Sequence, residues 1–307
     1  MTKLKKFRGW LGQVLPRSDK HRGTLAILIA TFMFSLMTAL SKELTVRYSV
    51  SETAFFRYFF ALFPLMPLLA ARGGLKVFRT RQLHRHLWRG VLGAACLLLY
   101  FYAASQLPLA ESMAISYTNP IFITLLSMLL LKEKIGKGLW AAIIAGFMGV
   151  LLIAEPRGLT LNSGALAALG GAICQATVTI GVHKLSRQDG ALTTLAWFSV
   201  FSTLLTLPLM LLTWRMPDMG DWLLMILCGC AGFCGQTLLT LAYKLATPHE
   251  ISHFNYASII WAALLGLVLW GQIPNMQAWI GAGIIIASGY YIVHRERLLK
   301  NREVVQP

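Results

Sequence analysis

Residues 111–140, ESMAISYTNPIFITLLSMLLLKEKIGKGLW, and residues 250–279, EISHFNYASIIWAALLGLVLWGQIPNMQAW, are equally long and lie 139 positions apart. Without a gap they superpose Glu111 on Glu250, Tyr117 on Tyr256, Leu125 on Leu264, Leu126 on Leu265, Leu130 on Leu269 and Trp140 on Trp279. Matches in that order mark an internal repeat, which bears on the architecture before any single residue does. Nearer the start of each half, a shift of 141 pairs Gly23 with Gly164, Leu25 with Leu166, Thr38 with Thr179 and Leu44 with Leu185.

Around these stretches the chain has 307 residues, 56% hydrophobic and 13% charged, with a mean hydropathy of +0.62. That composition excludes a pair of soluble domains. A helix needs roughly 20 mostly apolar residues to cross a bilayer. Such stretches fall at 23–44, 51–72, 86–106, 109–131, 137–155, 163–186, 190–213, 221–243, 250–270 and 276–294. An all-α integral membrane protein of ten spans follows, with short connections throughout.

The net charge of +16 would suggest nucleic acid in a soluble domain, but its placement argues otherwise. With the N-terminus inside, 22 of the 28 basic residues fall in cytoplasmic segments, and only Arg47, Arg157 and Arg215 lie in outer loops. This is the positive-inside bias, so both termini are expected in the cytoplasm and no nucleic-acid partner is expected. No short apolar segment with a small-residue cleavage site opens the chain, so the first span is expected to direct insertion. Phe7, Trp10, Leu11, Val14 and Leu15 fit either a short helix on the anionic inner leaflet or a disordered basic tail. Cys96, Cys174, Cys228, Cys230 and Cys234 all fall inside spans and are read as free, packed thiols.

Each half of the repeat holds five spans. Because five is odd, the second copy would enter the membrane from the opposite side, giving two inverted five-helix repeats, an arrangement of transporters. The expected organisation is a basic cytoplasmic segment at 1–22, repeats at 23–155 and 163–294, and a basic cytoplasmic tail at 295–307.

The stretch from Ala103 to Ile153, with LPLAESMAISYTNP, LLLKEK and GFMGVLLI, resembles the helix 3 to 5 signature of EamA-type proteins in the drug/metabolite transporter superfamily. AYKLATPHEISHFNYASIIWAALLG resembles its partner in the second half, so the resemblance covers nearly the whole chain. It implies a ten-helix carrier of the bacterial inner membrane whose cavity is lined mainly by spans 1, 3, 4, 6, 8 and 9. A small-molecule substrate and the lipid bilayer are the implied partners, a second copy of the chain is a candidate one, and no cofactor or metal is expected. Family members usually carry a Glu after the fourth helix of each half; here Glu133 matches and Gln272 does not. The first-span stretch FSLMTALSKELT and ETAFFRYFFALFPLMPLL resemble branches that take up riboflavin or S-adenosylmethionine, while other branches export amino acids or related metabolites.

Charged side chains inside spans cost roughly 2.5 to 3.5 kcal/mol at a helix centre, so each needs a partner, water or an interfacial position. Lys42, with Arg57, set against Glu111 forms one candidate gate at the outer end; His183 against Glu250 forms its repeat-related counterpart at the inner end. Snorkelling to headgroups is the alternative for all of them. Polar and aromatic residues on the implied cavity spans are the candidate substrate contacts: Ser35, Thr38, Tyr100, Tyr102, Ser116, Tyr117, Asn119, Gln175, Thr179, Gln236, Asn255, Tyr256 and Ser258. Such groups suit a planar, polar solute, although Ser, Thr and Asn also join helices and Tyr populates interfacial belts. Pro120 is expected to kink its span. His249, Glu250 and His253 spell H-E-x-x-H, the pattern of a zinc metalloprotease; no third ligand accompanies it, and the repeat already accounts for the position. No P-loop, G-x-S-x-G or dinucleotide fingerprint is present, which points away from catalysis and ATP-driven pumping. A membrane scaffold or receptor is the remaining class; it would not need polar groups on the cavity spans alone.

Overall fold

The computed structural model describes residues 19–71, 74–131, 136–154, 162–185, 191–245 and 252–305, together with Asp189. Its helices are α1 (Asp19–Leu44), α2 (Val50–Ala71), α3 (Leu83–Gln106), α4 (Leu109–Ser116), α5 (Asn119–Leu131) and α6 (Lys137–Ala154) in the first half. The second half has α7 (Ser163–Leu185), α8 (Ala191–Leu212), α9 (Met219–Leu245), α10 (Ala257–Trp270) and α11 (Met276–Val305). Short 3-10 turns occupy Gly74–Phe78 and Ser252–Tyr256. Among the described residues nine helical segments are long and apolar enough to cross a membrane, and Phe254–Trp270 is a shorter apolar one. The protein is an all-α integral membrane protein.

Three spans differ from their sequence-based expectation: the one expected at 250–270 opens with the 3-10 turn Ser252–Tyr256 before α10, and two others differ more. The stretch 109–131 is not one kinked helix but α4 and α5, separated by a turn at Tyr117 and Thr118. Pro120 has no N–H to give Ser116, and its ring would press on that carbonyl in a continuous helix. The backbone tightens instead: the Thr118 N–H donates to Ile115 O at 3.0 Å, and the Thr118 hydroxyl donates to the same oxygen at 2.8 Å. The third difference is α11, which continues to Val305 past the expected end at 294. Its charged residues from Arg295 onward extend the helix beyond the apolar stretch. The C-terminus of α10 is sharper: Gly271 takes φ 63° and donates its N–H to Leu267 O at 3.0 Å, while the Gln272 N–H reaches Gly266 O at 3.0 Å. A side chain is disfavoured at that φ, so glycine fits the stop.

Packing joins the two halves throughout. α1 lies against α9, and their repeat equivalents α7 and α3 lie against each other. The same exchange relates α2 on α9 to α8 on α3, and α1 on α10 to α7 on α4 and α5. α6 packs on α11, crossing where a Cβ at Gly149 would lie 2.8 Å from Gly281 O and a Cβ at Gly281 would lie 2.6 Å from Gly149 O. Bare backbones are what let helices approach this closely without a hydrophobic drive between them. All five cysteines are free thiols; Cys96 and Cys228 are buried as expected, whereas Cys234 is exposed on its helix and is not packed.

Candidate functional site

Tyr117 and Tyr256 are equivalent under the repeat: Tyr117 stands in the turn between α4 and α5, and Tyr256 ends the 3-10 turn that leads into α10. Their rings meet with centroids 5.2 Å apart, tilted by 52°. The Tyr117 hydroxyl donates to Asn255 O at 2.7 Å and accepts from the Ser258 hydroxyl at 2.6 Å. From α1, the Ser35 hydroxyl donates to Ser258 O at 3.0 Å. The sequence-selected Ser35, Tyr117, Asn255, Tyr256 and Ser258 are thus one cluster, in which irregular backbone is stabilised by side-chain donors. Tyr100, flattened over Gly171 on α7, lies within electrostatic reach of Tyr117. Tyr256 places its hydroxyl over Gly289 of α11. Next to the breaks, Asn119 Oδ1 on α5 and Trp261 Nε1 on α10 are buried without a hydrogen-bond partner among the described residues. An acceptor and a donor left this way are unusual in a closed core and normal where a ligand or water completes the shell.

Other selected residues spend their polarity locally. The hydroxyls of Thr38, Ser116 and Thr179 donate to Phe34 O, Ser112 O and Gln175 O, each four residues back in its own helix, at 2.8 to 2.9 Å. The Gln175 side chain instead reaches α3, accepting from the Cys96 thiol at 3.5 Å, and at Gln236 it is the backbone oxygen that accepts from Thr240 at 2.8 Å. Tyr102 is exposed and bonds Ser163 at 3.3 Å, away from the tyrosine pair.

At one end of the bundle α1, α3, α4 and α10 converge on Ala39, Ala104, Leu109 and Ala262, all fully buried. Lys42 crowns this cluster. Its ammonium donates to Leu107 O, sits 5.7 Å from the Trp270 ring and lies within electrostatic reach of Glu111. Trp270 Nε1 in turn donates to Glu43 Oε2 at 3.1 Å. Arg57 is elsewhere: only 6% exposed, it lies between α1, α2 and α9, with Nε directed at Met37 Sδ at 3.4 Å and Cζ 4.5 Å over the Tyr58 ring. No carboxylate among the described residues pairs with it.

Two copies of one family pattern account for this geometry: the EamA-like transporter family matches residues 21–154 and again 162–293. The chain belongs to the EamA-like transporter family. A riboflavin transporter of Vibrio cholerae serotype O1 is 30% identical over 293 residues, covering 93% of this chain and 98% of that one. A pseudopaline exporter of Pseudomonas aeruginosa is 28% identical, covering 87% and 94%. An S-adenosylmethionine uptake transporter of Rickettsia bellii is 24% identical, covering 92% and 98%. A crystal structure at 21% identity, covering 88% of this chain and 95% of that one, superposes with a TM-score of 0.60 and has the same fold.

Within this EamA-like chain several expectations lie outside the described residues. His183 is in α7, but its side chain is not described; His249 and Glu250 are not described, nor is the side chain of His253, nor Glu133. Among the described residues no three metal-ligating side chains gather. One residue escaped the sequence reading altogether. Glu52, in the first turn of α2, is fully buried; neither carboxylate oxygen has a hydrogen bond of good geometry among the described residues, and Arg215 is the cation within electrostatic reach of it. An acid at a helix start ordinarily reads as dipole compensation. Here Ser49 supplies the cap by accepting from the Glu52 N–H at 3.0 Å, which leaves the Glu52 carboxyl without that duty.

Proposed function

We propose that the chain is a secondary carrier that moves a small organic metabolite across the bacterial cytoplasmic membrane by alternating access, and that it performs no covalent chemistry. The observation that carries this reading is the irregular backbone at repeat-equivalent positions, the α4–α5 turn and the 3-10 turn before α10, where the Tyr117 and Tyr256 rings meet at a tilt of 52°. Interrupted helices in matching places of two halves are where carriers of inverted-repeat design hold their solute, because irregular backbone is tolerated only beside a cavity. Five spans in each repeat, an odd number, support insertion of the two repeats in opposite senses, and the distribution of Lys and Arg supports cytoplasmic termini.

The solute is a planar, polar molecule of the riboflavin or S-adenosylmethionine kind, taken into the cell. Two aromatic faces and unpaired Asn119 and Trp261 atoms suit a ring system carrying donors and acceptors. Lys42 and Glu111 close the outer end over the Ala39, Ala104, Leu109 and Ala262 cluster; by the repeat, His183 and Glu250 are the candidates for the matching gate at the inner end. The test is flux of labelled riboflavin and of S-adenosylmethionine into liposomes holding the purified chain. Uptake of one of them, reduced at least about tenfold by Tyr256→Ala, supports the reading; equal flux in empty and protein-bearing liposomes for both overturns it. Exchanging Lys42 and Glu111 restores flux lost in either single substitution if they form the gate. The 28% identity to an exporter favours the second reading, outward transport of an amino-acid-derived metabolite. It predicts efflux from preloaded liposomes instead.

A further inference from the structure

Arg57 is only 6% exposed, yet its guanidinium has no oxygen acceptor among the described residues. Arginine carries five N–H donors in one plane, has no acceptor and stays charged. Here Nε faces the Met37 thioether, a weak acceptor, and the Tyr58 ring offers its face, which attracts the cation without accepting a directed bond. A buried cation left in that state is costly unless something supplies the missing counter-charge.

The molecule contains its own control. Arg57 lies flat across Gly232 of α9, where a Cβ would come 2.8 Å from Nε and 2.9 Å from Nη2. In the other half the equivalent glycine is Gly93 of α3, and the side chain lying across it is Phe198. The slot over that glycine is therefore filled well enough by a phenyl ring. A guanidinium in the same slot adds nothing that packing requires; it adds a charged fork. Gln236, four residues beyond Gly232 and so on the same face of α9, brings a carboxamide to that side.

We propose that Arg57 is an anion site at the junction of α1, α2 and α9, taking a carboxylate or phosphate group in a forked pair of hydrogen bonds. The fork matches either group in plane and spacing. Where the anion belongs to the transported solute, the proposal deepens the carrier reading and rests on it; binding of a free ion does not.

The experiment is a thermal-shift titration of the full-length chain in detergent at constant sodium chloride. Inorganic phosphate and acetate form one arm. The second arm uses solute pairs differing by one anionic group: flavin mononucleotide against riboflavin, and S-adenosylmethionine against its decarboxylated form. A saturable stabilisation by the free ions, or a preference for the anionic member of a pair, is expected in the wild type. In Arg57→Phe the apparent affinity weakens at least about tenfold, and this variant keeps its fold because Phe198 shows how a ring fits over the matching glycine. Arg57→Gln, which keeps polarity and removes charge, reads the same loss if the phenylalanine variant does not fold. A shift with phosphate or acetate alone identifies a free ion, and a shift confined to the anionic member of a pair identifies the solute. No saturable anion effect in the wild type, or an undiminished one in both variants, overturns the site. If the anion effect is intact and liposome flux is absent, the site stands and the carrier reading falls.

Discussion

The contact of α2 with α9 and the contact of α8 with α3 are built from one plan and differ in where the charge sits. In each, two glycines one turn apart receive side chains from the neighbouring helix. Gly229 and Gly232 meet Phe60 and Arg57; Gly90 and Gly93 meet Phe201 and Phe198. Each is also fastened by a carboxylate, at opposite ends of the bundle. Tyr48, ahead of α2, donates to Asp221 at 2.7 Å, and Arg47 pairs with the same carboxylate at 3.1 Å. Asp189, ahead of α8, accepts from Thr80 at 2.6 Å and meets His86 Nε2 at 2.8 Å. The cations differ. Arg89 stacks on Phe198 at 4.9 Å and donates to Thr194 O at 3.1 Å, so it has a protein oxygen. Arg57 has none among the described residues. A duplicated frame has thus kept its packing and changed the electrostatics of one slot, which separates what the fold needs from what it does not.

The largest break in this comparison is expected from Phe198→Arg. It places a second guanidinium beside Arg89, removes the ring on which Arg89 stacks, and leaves a buried charge unpaired, at about 3 to 5 kcal/mol. Loss of monodisperse protein in detergent chromatography is the readout; wild-type behaviour would mean that the α8 slot tolerates charge as the α2 slot does. Next come the close approaches. Alanine at Gly229 sets a Cβ 2.5 Å from Phe60 Cβ, 3.0 Å from Phe60 C and 3.1 Å from Arg57 O, two of the three being backbone atoms. Alanine at Gly90 meets Phe201 Cβ at 2.6 Å. Overpacking of this kind costs about 1 to 3 kcal/mol, and Gly229→Ala should lower the melting temperature more because backbone yields least. Gly232→Ala should be milder than Gly93→Ala. The former presses on the ends of Arg57 and Met37, which have other rotamers to take; the latter puts a Cβ 2.3 Å from a ring edge held between Arg89 and Tyr58. Equal melting temperatures for that pair would contradict the difference in stiffness.

Hydropathy alone located the spans, because a bilayer imposes a length on every apolar helix. The gapless repeat located the tyrosine pair, since Tyr117 and Tyr256 fall on one register. The paired glycines were present in the sequence too, at a shift of 139, and the residues that meet them, Phe60 with Phe201 and Arg57 with Phe198, at a shift of 141. Two registers and two ordinary residue types give no signal until the helices are placed against each other. Arg57 was legible as a costly charge, but its neighbours Met37 and Gly232 are far from it in sequence. Glu52 was hidden for the opposite reason: a helix-start acid looks explained, and only burial of both oxygens shows that it is not.

The smallest expected effect distinguishes the two fastenings by pH. Burial pushes the Asp189 carboxyl up, but the Thr80 hydroxyl and the His86 ring pull it further the other way, so the net direction is below the ordinary carboxylate value. A group depressed on folding contributes stability that is present above its unfolded value, about 3.9 for Asp, and lost as pH falls through the folded value. Acidification below about pH 4 should therefore loosen the α3 and α8 contact in the wild type, while Asp189→Asn should lack that component and melt with a flatter profile there. Above that range the substitution still leaves His86 without its carboxylate, so its melting temperature should lie slightly below the wild type. If the two profiles stay parallel down to pH 3, the Asp189 fastening carries no linkage and the resemblance between the two contacts is one of packing alone.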